Sequence, residues 1–234
     1  MYHSIVDFRD IQLNKFSQTI ELLKRAADDG ITCLVATPPV DTVCHLKNDE
    51  LIIKHLVNKI NDKLIQDGVL LSVHEGAVIK YDNDLANYES LPFVGGSKYI
   101  MIKFHENIIP VNAINVFFEL QLRGYIPIIV DVEFIEDLSV LPNMIKKGSL
   151  VHVGASSILG MNGRKLRRRA VGLCRNNIAH LISSSAGGVE KSSILLQAYN
   201  YLERLTPFGR VKYYKQNAER ISKGVDIHAL LHSP

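Results

Sequence analysis

Cysteine is scarce in this chain. It carries three, Cys33, Cys44 and Cys174, an odd number without the short paired spacing of a zinc site. A disulfide framework is thereby excluded, and a reducing compartment fits. Long apolar runs are absent too: nothing approaches the roughly 18 residues of a membrane span. The opening MYHSIVDFRDIQ has no basic-then-apolar leader pattern, so a cytoplasmic location is the expectation. An excess of one charge is also lacking, since 27 Lys and Arg against 24 Asp and Glu leave a net +3, too mild to imply nucleic acid. Catalytic signatures are missing as well. No Gly-rich phosphate fingerprint follows the first strand, and there is no Gly-x-Ser-x-Gly elbow. None of the cysteines has an arginine six positions on, the spacing that a cysteine-based tyrosine phosphatase needs to hold phosphate beside a thiolate.

What is present is a core. With 234 residues, 47% hydrophobic and 22% charged, the chain suits one sizeable domain spanning 1–234. Helical periodicity alternates with short apolar strands. FSQTIELLKRAADDG (16–30) reads as a helix stopped by Gly30, and ITCLVAT as the strand after it. The helix over 48–68 has Asn48 or Asp49 as its expected N-cap, and VLLSVHEG follows as strand. Strands over 98–104, 125–132, 149–155 and 178–185 then alternate with helices over 111–124, 134–148, 165–177 and 191–205. Six to seven such units imply a parallel sheet covered by helices, and short loops favour a closed or distorted barrel. Residues 207–234 read as an appended C-terminal helix and tail.

Barrels of this kind carry chemistry at the C-terminal strand ends. Those ends offer Pro38-Pro39, His74-Glu75, Lys103-Phe104-His105-Glu106, Asp131-Val132-Glu133, Gly154-Ala155-Ser156-Ser157 and Ser183-Ser184-Ser185. Metal-dependent hydrolysis needs several His, Asp and Glu donors converging on the ion. The candidates are His74, Glu75, His105, Glu106, Asp131 and Glu133, but neighbours on a strand point to opposite faces, so at most one of each adjacent pair can look inward. Ser185, Gly187 and Gly188, with Lys191 at hand, form a candidate anion site ahead of the next helix. The basic run GRKLRRR (163–169) reads as a solvated helix face, with an anionic docking surface as the alternative.

The order of these segments carries a resemblance. "ADDGITCLVATPP", "HEGAVIKYDNDL", "KYIMIKF", "FELQLRGYIPIIVDVEF", "IKKGSLVHVGASSILGMNGRKLRRRA" and "NNIAHLISSSAGG" together resemble the PHP-type, manganese-dependent protein-tyrosine phosphatases of bacterial capsule and exopolysaccharide operons. The resemblance covers nearly the whole chain. It implies an α/β fold, a distorted (β/α)7 TIM-like barrel of the PHP type, with a two- or three-metal cluster that hydrolyses phosphotyrosine.

The ligands implied by the resemblance are largely replaced. The His-x-His strand becomes Tyr2-His3-Ser4, leaving His3, and the acidic pair after it is reduced to Asp10. A ligand histidine becomes Pro39, and the glutamate of Gly-x-Glu becomes Val78. Ile-Glu-Phe becomes Ile102-Lys103-Phe104, and Ala-His-x-Glu-Arg becomes Val130-Asp131-Val132-Glu133-Phe134. Ser-Asp-x-His becomes Ser184-Ser185-Ala186-Gly187. His3, Asp10 and Asp131 are the metal-binding remnants, and each divalent ion needs about 4 to 6 donors. The expectation is a phosphatase-like protein without metal cofactor and catalytically impaired, whose partner is a tyrosine-phosphorylated kinase tail or another polysaccharide-regulating protein. The alternative is an active phosphatase with a rearranged site around Asp10, Asp131 and Glu133.

Overall fold

Along the strand Tyr99–Lys103, Tyr99 and Met101 alternate with Ile100 and Ile102, and both sets are buried. That two-sided burial is the mark of a parallel sheet covered on both faces. The computed structural model describes residues 2–6, 16–40, 46–184 and 192–227. Among them the order is β1 (Tyr2–Val6), α1 (Phe16–Asp28), β2 (Ile31–Ala36), β3 (Pro39–Val40), α2 (Leu46–Gln66), β4 (Ser72–His74), β5 (Val78–Lys80) and β6 (Tyr99–Lys103). There follow α3 (Ala113–Leu122), β7 (Ile126–Ile129), α4 (Leu141–Lys146), β8 (Leu150–Gly154), α5 (Ala155–Ile158), α6 (Arg164–Arg175), β9 (Leu181–Ser183), α7 (Ser192–Glu203) and α8 (Arg210–Ser222).

All the strand pairings are parallel, in a β1-β2-β4 sheet and a β3-β5-β6-β7-β8-β9 sheet. The two sheets are one surface interrupted. β3 continues the line of β2, and β5 that of β4, so seven strand lines run in sequence order and β9 returns beside β1. This is the distorted seven-stranded α/β barrel expected from the sequence.

The interruption has a cause in the prolines. Pro38 and Pro39 have no N–H to give a ladder, and the line resumes when the Val78 amide donates to the Pro38 carbonyl at 3.0 Å. The neighbouring line breaks at the same level, where a Cβ on Gly76 would come within 2.9 Å of Val35 Cγ1 and 3.0 Å of the Ala36 oxygen. Glycine is what lets the two broken lines approach.

Inside the barrel, Val35, Val78, Met101, Ile128, Val130, Leu150 and Leu181 pack together. Their floor is α8 and the residues after it: Ala218, Ile221 and Ile227 join the same cluster. Asn217 donates to the His180 carbonyl at 2.8 Å, and Arg210 to that of Ala179 at 2.6 Å. The Tyr99 hydroxyl donates to the Val225 carbonyl at 3.0 Å and accepts from the Ile227 amide at 2.9 Å. Tyr99→Phe removes both bonds from a buried position and is expected to cost about 1–2 kcal/mol. A urea midpoint unchanged from the wild type would contradict that role.

Two helices depart from the expected spans. α2 begins at Leu46, ahead of the expected Asn48 or Asp49 cap. Of the helix expected over 134–148, only Leu141–Lys146 forms. Asp137 accepts both the amide and the hydroxyl of Ser139, a local turn that competes with helix. Pro142 fits only the first turn that follows. No described helix is long and apolar enough to cross a membrane.

Candidate functional site

The period of two that fills the barrel also selects what faces its mouth. Continuing inward from Met101, Leu150 and Leu181 come Lys103, His152 and Ser183, one each from β6, β8 and β9. Asp131 would by the same alternation share the outward face of Ile129. Its backbone is left-handed, with φ 57° and ψ 42°, a conformation that Asp tolerates better than most residues. That single turn redirects the chain as it leaves β7.

Asp131 thereby reaches Lys103, with 2.7 Å between Oδ2 and the Lys103 ammonium. The Asp131 side chain is 8% exposed and that of Lys103 35%. Behind them, the Asp131 amide donates to Nδ1 of the buried His152 at 3.2 Å. With Nδ1 accepting, the ring proton sits on Nε2 and is donated to Ser183 Oγ at 2.7 Å. The trio resembles a Ser-His-Asp relay, but the tautomer opposes it: Nε2 is already protonated and cannot take a proton from Ser183. Asp131 Oδ1 is 3.7 Å from Nδ1, beyond hydrogen-bond range. The arrangement holds charge in place and is not set for nucleophilic attack.

Glu133 lies elsewhere. It is fully buried in the 3-10 turn Val132–Phe134, where it accepts the Gly154 amide at 3.0 Å. Burial, and secondarily the charge of Asp131, push its carboxyl up to about 7, against the pull of the Ser157 hydroxyl and of backbone amides. It does not open onto the mouth beside Lys103. The two buried cysteines are inert as nucleophiles: burial raises the Cys33 thiol and pushes Cys174 up to about 12.

Of the other candidates, His105 and Glu106 are exposed in a turn after β6. Glu75 lines a pocket with Ile53, Gly76, Pro92, Phe93 and Gly96. His3 lies in β1 opposite Cys33. Asp10, Ser185, Gly187, Gly188 and Lys191 lie outside the described residues. Sequence reasoning passed over His152 and its bond to Ser183. The signal available was the alternation from Leu150, which puts His152 on the inward face.

A divalent cluster does not fit the donors that the described residues bring together here. Among the described residues, the carboxylate at the mouth is engaged by an ammonium, and the histidine behind it is committed at both ring nitrogens. Among the described residues no three His, Cys, Asp or Glu side chains group so as to hold a metal ion.

The family model for capsular polysaccharide synthesis proteins CpsB/CapC matches residues 4–221. The chain belongs to the CpsB/CapC family. It is 29% identical over 241 residues to the putative tyrosine-protein phosphatase CapC of Staphylococcus aureus, covering 95% of this chain and 92% of that protein. It is 28% identical over 194 residues to the tyrosine-protein phosphatase YwqE of Bacillus subtilis (strain 168), covering 80% and 76%. A crystal structure from the study of YwqE from Bacillus subtilis and CpsB from Streptococcus pneumoniae, metal-dependent tyrosine phosphatases, superposes with a TM-score of 0.84 at 25% identity, covering 97% of this chain and 96% of that one. Lys103 and Asp131 are thus set in the barrel of a CpsB/CapC-family chain.

Proposed function

We propose that this chain is a non-catalytic CpsB/CapC-family protein, a cytoplasmic binding or regulatory module of capsular polysaccharide production. The observation that carries this reading is the Lys103–Asp131 pair. An ammonium 2.7 Å from the carboxylate supplies positive charge at the mouth, and a divalent ion there would have to displace it and tolerate its repulsion. The names of the relatives favour the second reading, an active phosphoric monoester hydrolase with a rearranged site.

One assay separates the two. With purified protein, a phosphotyrosine peptide and added manganese, turnover is expected to remain at background. Clear turnover abolished by Asp131→Ala would overturn the proposal. Manganese itself is expected to leave the melting temperature unchanged. Occupancy at 100 times the dissociation constant would stabilise the fold by about 2.7 kcal/mol, a shift that scanning fluorimetry resolves.

A further inference from the structure

The basic run that opens α6 is not absorbed by the mouth. α6 carries Arg164, Lys165, Arg167, Arg168, Arg169 and Arg175 and not one acidic residue. The tertiary structure divides these six. Arg167 stacks over the Tyr201 ring at 4.8 Å and donates to its hydroxyl at 2.7 Å. Arg169 reaches the Glu136 carbonyl at 3.4 Å. Arg164, Lys165, Arg168 and Arg175 are exposed and engage no acidic side chain among the described residues. At 100° per residue, Arg164, Arg168 and Arg175 fall within about 40° of one another, a stripe about 16 Å long.

Two features of this stripe work against the helix itself. Arg164 and Lys165 occupy the first turn, where the helix dipole disfavours cations, and Arg164–Arg168 and Lys165–Arg169 are like-charged pairs at i,i+4. Gly172 sits in the helix interior beside the stripe, where glycine is destabilising. Its φ is not positive, and a Cβ there would meet nothing within 4 Å. Neither its backbone conformation nor packing against the described residues requires glycine, yet its absence of side chain leaves a notch between Arg168 and Arg175.

We propose that the α6 stripe is a docking surface for an acidic peptide segment of a protein partner, which lies along Arg164, Arg168 and Arg175 with its backbone against Gly172. An extended segment of about five residues spans this length. The stripe ends after about 16 Å, a length that a short peptide fills and that gives a longer anionic polymer or a flat membrane no further cations on this helix. The proposal is independent of whether the barrel mouth is catalytic.

Fluorescence anisotropy with a short labelled oligo-glutamate peptide tests it on the full chain. Expected are saturable binding at low salt, weakening as salt approaches physiological strength, and about a tenfold or greater loss in Arg164→Glu/Arg168→Glu/Arg175→Glu. Gly172→Leu, which keeps every charge, is expected to weaken binding as well. Lys54→Glu/Lys98→Glu/Lys212→Glu, the same charge change at exposed lysines elsewhere, is expected to bind as wild type, and circular dichroism checks that all variants are folded. No binding at low salt would overturn the proposal, as would equal binding by the α6 or Gly172 variants, or equal loss in the control. Tighter retention of oligo-dT or of phosphatidylglycerol vesicles than of the peptide would overturn the choice of partner.

Discussion

Lys103→Met is expected to destabilise the fold by about 2–3 kcal/mol. Breaking a buried ion pair from one side usually costs about 3–5 kcal/mol, because the remaining charge stays desolvated. The figure here is reduced because Lys103 is about one-third exposed and its pair with Asp131 is partly screened. The two partners are not equivalent. Asp131 is nearly enclosed, whereas the ammonium of Lys103 can turn toward water, so Asp131→Asn is expected to cost about 1 kcal/mol or less. The double variant Lys103→Met/Asp131→Asn removes both charges and is expected to recover most of the loss seen in Lys103→Met. Urea denaturation of the four proteins measures this cycle. A Lys103→Met midpoint equal to the wild type would show that the pair contributes nothing.

Stability is expected to fall as pH rises from about 4.5 to about 7, through Glu133. In the folded chain its carboxyl is raised to about 7 from 4.5, chiefly by burial. Below pH 4.5 the group is protonated in both states and makes no difference between them. Above that, the unfolded chain releases the proton while the folded chain retains it, so the unfolded state gains until pH passes 7. The whole interval is worth about 3 kcal/mol. Glu133→Gln keeps an oxygen for the Gly154 amide and cannot ionise. It is expected to match the wild type near pH 4.5 and to be the more stable protein at pH 8. Parallel pH–stability curves for the two would remove Glu133 as the source of the dependence.

Much of the architecture was legible because it is local. Helical and two-residue periods placed most elements, and where they failed the reason was also local: the Asp137–Ser139 turn and Pro142 shortened the helix expected over 134–148. That Val78 and Lys103 stand at ligand positions is an expectation drawn from the resemblance. His152 follows the same alternation but sits inside β8, two residues before the strand end.

The partnership of Lys103 with Asp131 was not legible. Twenty-eight residues separate them, and strand alternation places Asp131 on the wrong face. Nor could the run of cations on α6 be divided into engaged and solvent-facing members before Tyr201 and the Glu136 carbonyl came beside Arg167 and Arg169. By itself the sequence determined the alternation of strands and helices, with six to seven such units, and a two-residue period along the strands, because alternation and hydrophobic period are properties of neighbouring residues. Only the tertiary structure decided that Asp131 turns back to meet Lys103 and that Glu133 is buried away from the mouth. Those outcomes depend on one left-handed backbone residue and on the register of strands distant in the chain, which no local pattern encodes.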